Sequence, residues 1–458
     1  MRFSFADETT DATPIRVVSQ SGWDSTRSAL SPGQQAYAAL IGFEPGPGRH
    51  CVLPAEGEAS ALVLFGTAEP SSRGYDPLLP GRLATMLPSG LYRFVPETPD
   101  LDLAVLSWAL SGYRFSRYKA GPAAEARLCR PEGVDTARLL RIVEAVGFGR
   151  DLINTPARDM GPAALAAAAE ALALRYGATV RVVAGEALAA GFPLIDAVGA
   201  GAREAPRLVD FTWGRVGAPT VTLVGKGVTF DTGGLNIKPD AGMLLMKKDM
   251  GGAATALALA QIVMGAGLDL RLRVVLPIVE NSISAPSFRP GDVIPSRKGP
   301  TVEIGNTDAE GRLILADALA LAGEDKPDLL FDFATLTGAA RVALGPDLPP
   351  FFTDDDGLAE SLMRHGRDVR DPVWRLPLWH PYDAMLDGKV GDLNNVGGPF
   401  AGAITAALFL RRFVEPQQVW AHFDMFGWVP TAKPGRPEGG EVQVARLLYD
   451  FLSQRYPA

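Results

Sequence analysis

Apolar runs of two different lengths alternate along the chain from about residue 178 to the C-terminus. Short runs have the length of strands, and longer runs with apolar residues at helical spacing separate them. The predicted strands cover residues 221–225, 270–279, 329–333 and 419–425, and the predicted helices cover 252–264, 313–322 and 403–413. Because strands that alternate with helices pack as a sheet covered on both faces, the pattern predicts an α/β domain.

The chain has 458 residues, which favours more than one domain. Residues 1–130 contain short predicted strands at 51–54 and 60–65 and helices at 34–41 and 101–111, without a cluster of reactive side chains. Residues 131–175 read as two helices separated near Pro156. We therefore predict a small N-terminal α/β domain for scaffolding or assembly (1–130), a helical linker (131–175) and a large C-terminal catalytic domain (176–458) with a central mixed sheet flanked by helices.

Charge and cysteine content exclude several classes of protein. The net charge is −8 and no Lys/Arg run stands out, so nucleic-acid binding has no electrostatic support. Only Cys51 and Cys129 are present, which favours free thiols in a reducing compartment. The N-terminal stretch is acidic where a signal peptide would be basic, and no apolar segment approaches the roughly 20 residues that span a bilayer. We expect a soluble cytoplasmic protein without a membrane partner.

The octapeptide Asn306-Thr-Asp-Ala-Glu-Gly-Arg-Leu313 carries the clearest chemical signal. Asp308 and Glu310 are one residue apart, and Arg312 follows two positions later. Two carboxylates this close repel each other unless a cation lies between them, and hard divalent cations take oxygen ligands. The octapeptide therefore predicts metal-assisted hydrolysis if other ligands exist in the chain.

A second segment, residues 224–239, combines Lys226, Asp231 and Lys238 with glycines that let the backbone fold tightly around a ligand. A phosphate-binding loop is the obvious alternative, but Gly227 rather than Ser or Thr follows the lysine. A dinucleotide fingerprint also fails, because Phe230 stands where the third glycine should be. The segment is therefore a candidate source of further metal ligands.

A third segment, residues 246–252, places Asp249 before two glycines that open a helix. Taken alone, this carboxylate is more often a helix cap than a ligand. Across the three segments, four carboxylates and two lysines form a set that suits two divalent ions. The four histidines lie outside these segments, and no GxSxG motif supports a serine nucleophile.

The three segments closely resemble those of the leucyl aminopeptidase family, the dinuclear metallo-aminopeptidases of the cytosol. The octapeptide matches the signature of that family without a substitution, and the likeness covers about residues 150–430. The resemblance implies a metal-dependent aminopeptidase that hydrolyses the N-terminal peptide bond of peptides through a metal-activated water. It also implies two divalent ions per subunit, Zn²⁺ or Mn²⁺, and assembly as a homohexamer.

The resemblance also implies the ligand set. Asp231 and Glu310 would bridge the two ions, and Lys226, in its neutral form, would complete the tighter site together with Asp249. Asp308 would complete the looser site, at which the free α-amine of the substrate would also bind.

Catalytic and pocket roles follow from the same resemblance. Lys238 would polarise the scissile carbonyl and stabilise the tetrahedral intermediate. Arg312 would hold a bicarbonate that shuttles a proton. Met246, Thr335 and Gly338 would line the pocket for the first side chain, while Lys238 and Asp249 would also contact the substrate.

Two alternatives stay open at this stage. One is a binding or regulatory protein that keeps the fold and contacts DNA, although the charge of the chain argues against it. The other is a dinuclear phosphoesterase, for which histidine ligands would be usual. Two departures from the family pattern, at Ser282 and at residues 432–440, leave the preferred first residue of the peptide unpredicted.

Overall fold

The structure is a computed structural model that describes residues 3–7, 11–120 and 126–458. The chain divides into two compact units, Met1–Gly147 with Thr431–Glu438, and Phe148–Pro430 with Gly439–Ala458. Part of the N-terminal stretch used to argue against a signal peptide lies outside the described residues. The domain boundaries drawn from the sequence at 130 and 175 stay predictions.

The first unit is built on a sheet with the order β2-β3-β1-β4-β5. Only the β2–β3 pair is antiparallel. Its strands are β1 (Thr13–Val18), β2 (His50–Leu53), β3 (Leu62–Gly66), β4 (Gly90–Phe94) and β5 (Ala126–Leu128), and its helices are α1 (Trp23–Ser28), α2 (Pro32–Leu40), α3 (Leu83–Met86) and α4 (Leu101–Ser111). The helix predicted over residues 101–111 is present with the same bounds.

The second unit contains a mixed sheet with the order β15-β14-β17-β13-β8-β10-β7-β6, and β9 also pairs with β10. Its central strands β17, β13, β8 and β10 are parallel, whereas β14 and β7 pair antiparallel to their inner neighbours. The strands of this unit are β6 (Thr179–Ala184), β7 (Arg207–Trp213), β8 (Thr220–Gly225), β9 (Gly227–Asp231), β10 (Arg271–Asn281), β11 (Val293–Pro295), β12 (Thr301–Glu303), β13 (Leu329–Ala334), β14 (Pro350–Phe352), β15 (Trp374–Arg375), β16 (Leu393–Asn394), β17 (Trp420–Asp424), β18 (Trp428–Val429) and β19 (Gly439–Gly440). The predicted α/β class and the central mixed sheet are confirmed.

Helices supply the remaining regular structure of the second unit. They are α5 (Thr136–Asn154), which begins in the first unit, α6 (Pro162–Arg175), α7 (Glu186–Gly191), α8 (Pro193–Gly199), α9 (Asp240–Met243), α10 (Gly251–Ala266), α11 (Gly311–Glu324), α12 (Gly338–Leu344), α13 (Asp356–Asp368), α14 (Gly402–Arg411) and α15 (Ala445–Arg455). A 3-10 helix, Met246–Met250, leads directly into α10.

Burial explains why the central strands lack a polar face. Every residue of β13 and of β17 is buried, as expected for parallel strands that are covered by helices on both sides. Residues Gly251 to Met264 of α10 are also buried without interruption. A helix that is apolar on all sides in this way belongs to the core of a large domain.

One stretch, Asp240–Ala266, is long and apolar enough to cross a bilayer by length and composition. The expectation that no segment reaches this length is therefore wrong, because three successive helical pieces join into one run. Its most apolar window is 89% buried inside the protein, which is the environment of a core helix.

The carboxyl ends of the central strands meet at one edge of the sheet. Gly225 at the end of β8 pairs with Phe333, and Ala334 at the end of β13 pairs with Asp424 at the end of β17. Strand β9 ends nearby at Asp231, next to the end of β10. Ligands of open α/β sheets bind at such ends, so this edge is where the chemistry-bearing segments should meet.

Two glycines permit the close packing of this edge. A Cβ atom on Gly252 would lie 2.1 Å from the backbone oxygen of Phe333, so only glycine lets α10 start against β13. A Cβ atom on Gly311 would lie 2.6 Å from Cε of Lys226. The glycine of the octapeptide therefore makes room for the stem of the buried lysine.

Candidate metal and active site

Three of the predicted carboxylates converge at the edge of the large sheet. Asp231, Asp308 and Glu310 each offer a carboxylate oxygen, and these oxygens lie within 4.8 Å of one another. Asp231 ends β9, whereas Asp308 and Glu310 lie in the loop that precedes α11. Asp231 and Glu310 are buried, and the side chain of Asp308 is 32% exposed.

The two predicted lysines connect these carboxylates with the fourth one. Lys226 is buried, and its Nζ lies 2.8 Å from Oδ2 of Asp249 and 2.9 Å from Oε1 of Glu310. Lys238 contacts both Asp231, at 2.7 Å, and Asp308. The structure therefore brings the five predicted metal ligands and the predicted catalytic Lys238 into one cluster.

Asp249 is not a helix cap. It lies in the 3-10 helix before α10, and its Oδ1 accepts a hydrogen bond of 2.7 Å from Oγ1 of Thr335. The backbone oxygen of Thr335 accepts a hydrogen bond of 3.1 Å from Nζ of Lys226. Thr335 therefore orients two members of the cluster from the end of β13.

Amide and hydroxyl groups hold the carboxylate loops together. Nδ2 of Asn281 donates to Oδ1 of Asp231 at 2.8 Å and to the backbone oxygen of Thr307 at 3.1 Å. Thr307 and Asn236 exchange hydrogen bonds, the backbone N–H of each donating to the side chain of the other at 2.9 Å. These bonds fix the loop after β9 against the octapeptide and so set the spacing of Asp231 and Asp308.

Burial and like charges perturb the titration of the cluster. Burial, reinforced by the negative charge of Asp231, raises the pKa of Glu310 to about 8. Burial and the charge of Asp249 raise the pKa of Asp231 to about 6. Burial opposes the charged form of Lys226, but the carboxylates of Asp249 and Glu310 outweigh it and raise its pKa. Without an ion, the carboxyl groups of Asp231 and Glu310 are therefore harder to ionise, and the ammonium forms of Lys226 and Lys238 are favoured by the carboxylates around them.

The donor set fits divalent metal ions. Four carboxyl groups face two ammonium groups in direct contact, so the cluster holds more acids than cations. Oδ2 of Asp249, Oδ1 of Asp308 and Oε1 of Glu310 contact a lysine ammonium but accept no hydrogen bond from an amide or hydroxyl group of the described residues. Carboxylate oxygens gathered in this way are the ligands that hard cations prefer.

Arg312 lies in the first turn of α11 with 8% of its surface exposed. Its Nη1 donates to the backbone oxygen of Asn395 at 2.8 Å, while its buried Nε has no partner. Burial lowers the pKa of the guanidinium to about 10. A buried guanidinium with a free N–H is suited to a small planar anion.

The predicted pocket residues lie next to the cluster. Met246 is buried and begins the same 3-10 helix that carries Asp249, and Gly338 begins α12 three residues after Thr335. The exposed Arg341 places Nη2 3.3 Å from the position of a Cβ atom on Gly338.

Sequence reasoning missed several residues that shape this site. Asn236 stayed without a role, and Asn281, Thr307 and Asp424 were not singled out. Asn281 and Asp424 stand at the ends of β10 and β17, so their position at strand ends was a usable signal. Lys248, beside Asp249, was the other omission.

The fold and the carboxylate–lysine cluster define a metal-binding hydrolase site. Family models agree with this class and divide the chain in two. Residues 147–449 match the catalytic domain of the cytosol aminopeptidase family, and residues 13–131 match the N-terminal domain of M17 aminopeptidases.

Individual relatives give the same result. A probable cytosol aminopeptidase of Syntrophotalea carbinolica is 41% identical over 387 residues, covering 80% of this chain and 77% of the relative. The crystal structure of the cytosol aminopeptidase of Coxiella burnetii has a TM-score of 0.94 with 42% identity and covers 98% of both chains. The bottromycin maturation enzyme BotP in complex with Mn has a TM-score of 0.87 with 32% identity, covering 98% of this chain and 100% of that one.

The chain belongs to the cytosol aminopeptidase family. It is a metallo-aminopeptidase, a hydrolase that acts on peptides, as the resemblance of its three motif segments predicted.

Proposed function

We propose that this aminopeptidase works with two divalent ions, Zn²⁺ or Mn²⁺, held by Lys226, Asp231, Asp249, Asp308 and Glu310. Asp231 and Glu310 would hold both ions, Lys226 and Asp249 would complete the tighter site, and Asp308 would complete the looser one. The observation that carries the proposal is the convergence of the carboxylate oxygens of Asp231, Asp308 and Glu310 within 4.8 Å of one another. The Mn complex of the similar BotP supports a divalent ion.

When bound, such ions supply an activated water and polarise the scissile carbonyl. The ammonium group of Lys238, 14% exposed beside Asp231 and Asp308, stabilises the negative charge that develops on the carbonyl oxygen. Arg312 would hold a bicarbonate, which would supply a proton acceptor there, and the absence of a partner for its Nε among the described residues supports this role.

Peptides with a free N-terminus are the proposed substrates. Met246, Thr335 and Gly338 line the pocket for the first side chain. Asp249 and Lys238 also contact the substrate. The hydrogen bond from Thr335 to Asp249 supports a pocket directly beside the metal ligands.

We also propose a homohexamer in the cytoplasm, with residues 1–130 as scaffold and assembly domain, 131–175 as linker and 176–458 as catalytic domain. Solvent-exposed apolar side chains support assembly, because exposed apolar surfaces often mark interfaces. The exposed side chains include Leu244, Val342, Val390 and Phe400, each at least 79% exposed. Light scattering coupled to size exclusion tests the assembly, and a mass other than that of six chains contradicts it.

The ligand set is tested by loading metal-free protein with Mn²⁺ or Zn²⁺ and counting ions per chain by plasma mass spectrometry. Hydrolysis of leucyl and alanyl anilides is measured on the same samples. The test variant is Glu310→Ala. The matched control is Glu303→Ala, because the carboxylate of Glu303 accepts backbone N–H groups of Lys389 and Val390 outside the cluster.

Wild type and Glu303→Ala should bind two ions and cleave the anilides, whereas Glu310→Ala should lose bound metal and activity together. Full activity with one ion per chain, or an active Glu310→Ala variant, contradicts the dinuclear assignment.

A further inference from the structure

Two cations share one aromatic ring beside the metal-ligand cluster. Nζ of Lys248 lies 4.7 Å from the ring centroid of Phe426, and Cζ of Arg341 lies 4.8 Å from the same centroid. We call these three residues the Phe426 cation cluster. The charge of Arg341 opposes the charged form of Lys248, so an anion that contacts both side chains would stabilise them together.

Lys248 is buried without a carboxylate in direct contact among the described residues, although the charges of Asp249 and Asp424 act on it from farther away. Its residue surface is 4% exposed, and within the described part of the chain its ammonium makes neither a hydrogen bond nor an ion pair. The neighbouring lysines differ, because Lys226 pairs with two carboxylates and Lys247 donates to the backbone oxygen of Asn154 at 2.7 Å. A cation–π contact offsets only part of the cost of burying a charge, and buried charges are normally paired.

Arg341 is also without a carboxylate within the described residues, and it is exposed. Its guanidinium can therefore turn toward an incoming anion at little cost. Arginine presents a planar fork that binds a carboxylate through two hydrogen bonds, while lysine adds a point charge. The two side chains together are suited to one carboxylate group.

The cluster adjoins the pocket assigned above to the first side chain of the substrate. Lys248 directly precedes Asp249, and Nη2 of Arg341 lies over Gly338 at 3.3 Å from its Cβ position. On Gly427, which follows Phe426, a Cβ atom would lie 2.9 Å from Cγ2 of Thr335 and 3.7 Å from the backbone oxygen of Lys248.

We propose that Lys248 and Arg341 bind the side-chain carboxylate of the first residue, so that the enzyme prefers peptides beginning with aspartate or glutamate. The inference rests on the proposed function. The ring of Phe426, which both cations contact, would pack against the methylene groups of the substrate side chain. An uncharged first side chain would leave the buried Lys248 without a carboxylate partner, which disfavours leucine as well as favouring acids.

The test compares kcat/KM of the metal-loaded protein for glutamyl and glutaminyl anilides, which differ by one charge and have the same shape. A leucyl anilide measures general activity. Hydrogen bonds to charged groups predict a glutamyl preference of about 10- to 100-fold over glutaminyl.

Lys248→Met should reduce this preference to near one, and the leucyl anilide reports the general activity that each variant retains. Lys247→Met is the matched control, because this lysine lies in the same 3-10 helix but binds Asn154 and contacts the ring of Trp428. If Lys248→Met fails to fold, Arg341→Gln provides a second test, because Arg341 is exposed. Arg341→Gln should lower the preference for the glutamyl over the glutaminyl anilide about 10-fold.

A protein that cleaves the leucyl anilide but treats glutamyl and glutaminyl anilides equally overturns the inference and leaves the aminopeptidase assignment intact. A protein that cleaves none of the three contradicts the proposed substrates. Calorimetric titration with free L-glutamate and L-glutamine then decides the inference. Tighter binding of glutamate than of glutamine, with the difference lost in Arg341→Gln, supports the inference. Equal binding of the two amino acids overturns it.

Discussion

Replacement of Asp424 by alanine should damage the metal site from a distance. Asp424 is 2% exposed, and its carboxylate accepts the backbone N–H groups of Leu336 at 3.0 Å and Thr337 at 3.1 Å, together with Oγ1 of Thr337 at 2.6 Å. Hydrogen bonds to a charged acceptor contribute about 1.5 kcal/mol or more each, and the hydroxyl can turn elsewhere. Loss of the two backbone bonds therefore predicts a free energy of unfolding lower by about 3 kcal/mol.

The effect on activity follows from the loop that Asp424 holds. Thr335 lies between β13 and the two anchored N–H groups, and it binds both Asp249 and Lys226. A displacement of about 1 Å at an active site costs on the order of 100-fold in rate, so kcat/KM should fall about 10- to 100-fold. Weaker metal binding in competition with a chelator should accompany this loss.

A matched control separates positioning from general stability. Asp317 is fully buried and also accepts three backbone N–H groups, from Leu194, Ile195 and Arg297, but it touches none of the cluster residues. Asp317→Ala should lose similar stability in urea titrations without a change in metal affinity. Asp424→Asn keeps an acceptor oxygen for the backbone bonds and should recover most of the activity. Equal metal affinity and kcat/KM in the two alanine variants would refute the reasoning.

Three further outcomes are expected. Gly252→Ala should lower the free energy of unfolding by about 2 kcal/mol in urea, because its Cβ atom would meet a backbone oxygen on β13 at 2.1 Å. Gly323→Ala is the control and should be neutral or stabilising, because its Cβ atom would make an ordinary contact of 3.9 Å with Cγ of Glu415. Asn281→Ala removes the amide that orients Asp231. Competition with a chelator should therefore show metal affinity that is weaker by about 10- to 100-fold. An unchanged metal affinity would contradict this orienting role of Asn281. Burial raises the pKa of Cys51 to about 11, so below that pH the folded protein contains less Cys51 thiolate than the unfolded protein. Alkylation of Cys51 at pH 8.5, followed by mass spectrometry, should therefore be more than about 10-fold slower in the folded protein than in the unfolded protein. Equal alkylation rates would contradict the burial argument.

Elements with a strong periodic pattern were predictable from the sequence. The strands predicted at 221–225 and 329–333 and the helix predicted at 252–264 are present with ends shifted by one or two residues. Their apolar runs are complete because they are buried on both sides of the sheet. The short strands and helices between residues 179 and 213 were not predicted individually, because their burial is partial and their pattern is weak.

The environment of single side chains was less predictable. Asp249 has the sequence context of a helix cap, yet its carboxylate binds Thr335 and Lys226, because the 3-10 helix turns it toward the end of β13. Lys247 and Lys248 are adjacent and chemically identical, and each lies over an aromatic ring, yet among the described residues only Lys247 also donates a hydrogen bond. Neighbouring positions on a helix point to different surroundings, and the sequence does not contain those surroundings.

The sequence by itself determined which chemical groups are available: carboxylates at short spacing, lysines near them, and glycines where backbones approach closely. Its alternation of strands and helices also predicted that these groups meet at one edge of a sheet. Only the tertiary structure decided which groups touch. Lys226 meets Asp249 and Glu310 because parallel pairing brings strand ends from distant parts of the chain into register, and Asp424 holds the Thr335 loop for the same reason. Contacts across a sheet depend on register and burial, which are properties of the folded chain as a whole.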